Sequence, residues 1–154
     1  MPQLSGEKDP TTNSLLIHNP EKQLSPKAQA FLARPKKLYI NGEFVDAAGG
    51  ETFATEDPAL GTAITEVSSA KKEDVERAAV AARDAFDKRW SNLAPAQRGA
   101  YLFKLTDLIL ENLEELAHLE ALDTGKPVNM ATGEIWFAAE TYRYYGGSSS
   151  SFVR

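Results

Sequence analysis

Leu38-Tyr39-Ile40-Asn41-Gly42-Glu43-Phe44-Val45 sets the architecture. Three β-prone residues run into Asn41-Gly42, the pair that best closes a two-residue turn because both positions need positive φ. Glu43-Phe44-Val45 then returns antiparallel. A second unit follows: Ala48-Gly49-Gly50 turns the chain into Glu51-Thr52-Phe53-Ala54-Thr55, and Asp57-Pro58-Ala59-Leu60-Gly61 turns it again. Pro58 presets φ there and Gly61 supplies conformational freedom. Ala63 to Val67 alternates like a half-buried strand. Such small sheets are marginal unless something covers one face.

From Ser69, read as a helix N-cap, the period becomes helical. Val75, Ala78, Ala79, Ala82 and Phe86 share one face, and Glu73 precedes Arg77 by four residues, the favourable order for an ion pair. Trp90 and Leu93 fall in the loop that follows. Pro95 suits the first position of the next helix, whose apolar stripe is Leu102, Leu105, Ile109 and Leu113. Asn112 and Glu115 have capping-box spacing, which predicts a break. The following helix ends at Asp123-Thr124-Gly125, with Pro127 preventing continuation. A last helix runs from about Met130 to Tyr145, with Ile135, Ala138, Ala139 and Tyr142 on one face and a weakening Gly133 in its first turn. The fold class is α+β: short antiparallel hairpin strands plus four amphipathic helices. Their stripes need neighbours, since packing of an apolar face supplies most helix stability.

Three regions result. Residues 1–37 read as a polar, flexible arm interrupted by five prolines, with a short helix from Ser25 to Leu32 as its one periodic stretch; order is expected to begin at Leu38. Residues 38–147 form the folded part. Residues 148–154 read as a Ser-rich tail, and Gly146-Gly147-Ser148-Ser149-Ser150-Ser151 has flexible-linker composition.

Composition excludes several functions. Twenty-two acidic residues outnumber 17 basic ones, for a net charge of −5, and Lys36-Lys37 and Lys71-Lys72 make no basic stripe, so no nucleic-acid partner is expected. The N-terminal apolar run Leu15-Leu16-Ile17 is too short for a signal peptide or a membrane span. Neither a membrane partner nor export is expected, and the location is read as cytoplasmic. The absence of cysteine removes disulfides, thiolate metal sites and thiol nucleophiles together.

Chemistry-bearing patterns are sparse. Gly125-Lys126 fails as a phosphate loop because Glu120 and Pro127 stand where Gly and Ser or Thr are required. No Gly-x-Gly pair suits a dinucleotide turn. His18 and His118 lie a hundred residues apart, so packing or surface roles outweigh metal binding. The carboxylate pairs Glu114-Glu115 and Glu134 with Glu140 read as solvated helix faces, and Ser148 to Ser151 have no base nearby. Trp136, Phe137, Tyr142, Tyr144 and Tyr145 read first as core and interface packing, second as a ligand wall.

Taken together, specific strings say more. Leu38–Val45 resembles the N-terminal hairpin of the aldehyde dehydrogenase superfamily. Asp57-Pro58-Ala59-Leu60-Gly61 resembles its Pro-Ala-x-Gly turn, and Glu120-Ala121-Leu122-Asp123-Thr124-Gly125-Lys126-Pro127 is the most distinctive match. The helix from Asp74, the helix with Arg98, and Tyr142-Arg143-Tyr144-Tyr145-Gly146-Gly147 follow in the same order. The resemblance runs from Leu38 to Gly147, and Ser148 to Arg154 departs from it, which points to a truncation after about residue 147.

The resemblance implies the first portion of a longer α/β enzyme, without its Rossmann-like parallel sheet. That enzyme would oxidise an aldehyde to an acid with NAD or NADP, using a cysteine nucleophile and a glutamate base, neither of which has a counterpart here. It implies no catalytic, cofactor-binding or metal-ligating residue in this chain, no cofactor bound by it, and one site residue: Phe137, facing the substrate entrance. The expected partner is the remainder of the enzyme or a homologous subunit. Two functional readings follow: an oxidoreductase fragment inactive alone, or a truncated module that associates with and regulates a full-length enzyme. Almost nothing supports a complete enzyme of another class built on the serines or glutamates.

Overall fold

The computed structural model describes residues 24–149. The arm reading of residues 1–23 and the tail reading of residues 150–154 lie outside the described residues. Five helices and two separate hairpins make the fold. Helix α1 spans Pro26–Leu32, strands β1 and β2 Leu38–Ile40 and Glu43–Val45, and β3 and β4 Thr52–Asp57 and Thr62–Ser68. Helix α2 spans Lys72–Lys88, α3 Pro95–Glu111, α4 Leu113–Thr124 and α5 Val128–Ser148. The architecture is α+β. Among the described residues both sheets are two-stranded and antiparallel.

The hairpins form where local backbone chemistry requires. Asn41 and Gly42 both take positive φ, 54° and 86°, and bring Tyr39 opposite Phe44 with ring centroids 5.0 Å apart. At the second turn Asp57 is buried, and its Oδ1 accepts from the amides of Ala59 at 2.8 Å and Leu60 at 3.3 Å. This side chain holds the turn that Pro58 and Gly61 permit. A register shift between Thr55 and Glu56 twists β3.

Order begins earlier than Leu38. Leu24 and Ala28 are fully buried and share the main core with Ala117, Ala121, Leu122 and Ala131. Ser25 caps α1, accepting from the Ala28 amide, while Lys36 Nζ donates to the carbonyls of Phe31 at 2.7 Å and Leu32 at 3.1 Å. Burial and the neighbouring Arg34 push the Lys36 ammonium below its usual range. The short helix expected within this stretch forms at Pro26–Leu32, and its residues pack on the core. Their partners lie about ninety residues away on α4.

Three helix-end expectations need correction. The N-cap of α2 is Lys71, not Ser69, whose amide instead donates to the Glu51 carbonyl. Asp74 does the capping: buried to 1% exposure, it accepts from the amides of Lys71 at 2.9 Å and Ala48 at 3.1 Å, and from Arg77 Nη2 at 2.6 Å. Arg77 therefore pairs with Asp74 rather than Glu73. The break at Asn112 is present, but without the capping box. Asn112 Nδ2 donates to the Leu108 carbonyl, and its Oδ1 accepts from Lys27 Nζ at 3.0 Å.

The final helix does not stop before its glycines. It continues through Gly146, Gly147 and Ser148, because Gly146 is a contact rather than a linker. A Cβ on Gly99 would lie 2.6 Å from the Gly146 carbonyl oxygen, and one on Gly146 would lie 3.1 Å from the Phe103 ring. The glycines let α3 and α5 approach backbone to backbone. Between the same helices the fully buried Thr106 shares its hydroxyl between the carbonyls of Leu102 at 3.0 Å and Ala139 at 3.2 Å.

Candidate functional site

The most distinctive sequence string, Glu120 to Pro127, is an elbow. Gly125 adopts φ 75°, and its amide donates to the Ala121 carbonyl at 3.0 Å, ending α4 in the left-handed conformation that glycine tolerates best. Pro127 caps the start of α5. Between them Lys126 points its ammonium at two carboxylates, Glu120 Oε1 of α4 at 2.8 Å and Glu134 Oε2 of α5 at 2.5 Å. The bonds from Glu120 first, and Glu134 second, hold the Lys126 ammonium above the usual lysine range. The side chain of Lys126 is 24% exposed, so this pairing is partly screened from solvent. Among the described residues it is the one ion pair joining α5 to another element.

Phe137 stands three residues beyond Glu134, one turn along the same side of α5. The residue is 69% exposed. Ile135, not Phe137, lines the cleft of about 650 Å³ that opens between α1, the hairpins and α4. The walls of that cleft include Phe31, Phe44, Ile64, Leu119 and Leu122.

The other sequence candidates separate. Glu134 pairs with Lys126 and Glu140 with Arg143 at 2.6 Å, so these two carboxylates do not share a proton-transfer site. His118 is a packing residue. Buried against α1, its Nδ1 accepts the Ser25 amide at 2.9 Å. No group of three or more His, Asp or Glu side chains among the described residues could hold a metal ion. Among the described residues the aromatics toward the end of α5 stay uncovered: Trp136, Phe137, Tyr144 and Tyr145 are all exposed. The elbow clamp escaped sequence reading because a left-handed glycine lies between Glu120 and Lys126. No helical spacing rule carries across it.

The glycine-rich turn between a parallel strand and a helix that commonly cradles a pyrophosphate is not among the described residues, whose strands all lie in antiparallel hairpins. No helix among the described residues is long and apolar enough to cross a membrane.

What the chain does possess is uncovered apolar surface. Of the seventeen residues of α2, only Asp74 is buried; Val75, Val80 and Phe86 are all exposed. On α3, Tyr101, Leu105 and Leu108 are exposed too, with Trp90 against Tyr101 at 5.9 Å.

Known proteins share much of this sequence. Residues 44–153 match the model of the aldehyde dehydrogenase family, a match running past Gly147. DhaS of Bacillus subtilis (strain 168) is 46% identical over 127 residues, covering 81% of this chain and 26% of DhaS. Aldehyde dehydrogenase 1 of Tanacetum cinerariifolium is 44% identical over 125 residues, covering 80% of this chain and 25% of that protein. The solved NAD+ complex of aldehyde dehydrogenase from Bacillus cereus superposes with a TM-score of 0.82 at 45% identity, over 85% of this chain and 27% of that one. The chain thus spans about a quarter of the length of the relatives it matches. The family match takes in most of the chain, and the chain belongs to the aldehyde dehydrogenase family.

Proposed function

We propose that these residues form the N-terminal portion of a cytoplasmic oxidoreductase that oxidises an aldehyde to a carboxylic acid with NAD or NADP, and that the 154-residue chain turns over no aldehyde alone. The observation that carries this reading is the bare α2 face. Packing of an apolar face supplies most helix stability in proteins, yet of the seventeen residues of α2 only Asp74 is buried. Its Ala78, Ala79 and Ala82 leave room for close approach by another layer. The remainder of the enzyme, or a homologous subunit, is the proposed partner. The sequence has no cysteine to serve as the covalent nucleophile that family chemistry uses. Phe137 is proposed to stand at the aldehyde entrance of the assembled enzyme.

The same bare faces support a second reading, a module that docks on a full-length family member and regulates it. One experiment separates the two. The purified chain is mixed with NAD+ and an aldehyde, then co-expressed with the remaining three quarters of a family enzyme. No NADH alone and restored turnover on co-expression support the first reading. NADH formation by the chain alone sinks it. Binding to an intact family enzyme with altered turnover, and no restoration with the incomplete one, favours the second.

A further inference from the structure

We propose that Lys126 is a positioning residue for aldehyde binding: clamped between Glu120 and Glu134, it sets the orientation of the α5 face that carries Phe137 and thereby the size of aldehyde admitted. The proposal rests on the reading of Phe137 as an entrance residue.

Three observations point this way. First, the residues that α5 buries fully are small: Ala131, Ala139 and Gly146. A methyl group fixes how close two helices come better than how each is rotated, and the larger Ile135 is only half-buried. Second, Lys126 acts at the right place. It grips Glu134, and Phe137 lies one turn farther on the same side. Third, Phe137 is 69% exposed and makes no ring contact with another aromatic among the described residues. Little besides the helix itself directs it. The clamp closes over an elbow whose backbone is otherwise set by Gly125 and Pro127. With Glu120 on α4 and Glu134 on α5, it ties the two helices at the point where they diverge.

An exposed aromatic ring offers a face to an aromatic aldehyde and little to a two-carbon one. Displacement of that ring should therefore be felt selectively. Loss of a general fold contact would instead affect every substrate alike.

The test uses the full-length enzyme that carries these residues, with benzaldehyde and acetaldehyde as probes. Lys126→Met is expected to raise KM for benzaldehyde about fivefold while kcat, and KM for acetaldehyde and NAD+, stay within about twofold. Lys126→Arg, which can still bridge two carboxylates, should restore most of the benzaldehyde KM. Phe137→Ala should move the same ratio, and the double variant should be no worse than Phe137→Ala alone, since both act through one ring. Should Lys126→Met fail to fold, Glu134→Ala removes the same tie from the other end and must reproduce the selectivity change. Equal losses on both aldehydes, or additive effects in the double variant, overturn the proposal. A normal ratio in Phe137→Ala overturns the entrance reading, and the proposed route through Phe137 with it. Failure of Lys126→Met and Glu134→Ala beside a responsive Phe137→Ala overturns the clamp alone.

Discussion

The amide of Ser25 donates to His118 Nδ1 across 93 residues, at 2.9 Å, inside the core. The bond joins the start of α1 to the middle of α4, and Leu24 and Ala28 pack beside it. With Nδ1 accepting, the imidazole proton sits on Nε2.

Replacing His118 by leucine keeps much of the volume and leaves a buried N–H without its acceptor. Such a group costs about 1–3 kcal/mol. Urea denaturation of His118→Leu should show that loss, with faster proteolysis near Lys27 as α1 loosens. Unchanged stability and protection would mean the bond contributes nothing to docking α1.

Two glycines should respond in opposite directions. Gly99→Ala would push a methyl group to 2.6 Å from the Gly146 carbonyl oxygen, forcing α3 from α5. Overpacking of this kind costs about 1–3 kcal/mol. Gly133→Ala meets nothing within 4 Å and lies inside α5, where alanine is favoured by about 1 kcal/mol. Thermal melts should place Gly99→Ala below the parent and Gly133→Ala above it.

Asp74 should make stability depend on acid. The Lys71 amide, ahead of the Ala48 amide and Arg77, holds its carboxyl below the ordinary carboxylate value against the opposing effect of burial. A group depressed in the folded state stabilises fully above its unfolded pKa, near 3.9. That contribution fades as pH falls through the lower folded value. The urea midpoint of the parent should therefore drop more steeply below about pH 4 than that of Asp74→Asn. Parallel profiles would show that Asp74 is not the group responsible.

Val75 tests the uncovered face. It is 61% exposed on α2, so Val75→Lys should leave the stability of the chain by itself within about 0.5 kcal/mol. The same substitution should lower binding of a hydrophobic dye and block restoration of activity with the remainder of the enzyme. A variant that assembles and turns over normally would show that this face stays in water.

Features fixed by neighbouring residues were legible in advance. Asn41-Gly42 closed its hairpin, Pro95 opened α3, Gly125 ended α4, and the break at Asn112 fell in place. Each depends on backbone preferences within a few residues. The errors share one cause. Ser69 was a reasonable cap until Asp74 found the Ala48 amide 26 residues away. Gly146-Gly147 resembled a linker until Gly99 stood opposite. The short helix after Ser25 was legible, but its docking was not until Leu24 and Ala28 joined Leu122 in one core.

Strand and helix positions, the family and the surplus of apolar stripes could be read from the order of residues, because turn chemistry and periodicity act locally. Folding in three dimensions settled the docking of α1 on His118, the glycine contact between α3 and α5, the Thr106 bond to Ala139 and the Lys126 clamp. Each of these joins groups from different elements, and no spacing rule reports which distant atoms will meet when the chain closes on itself.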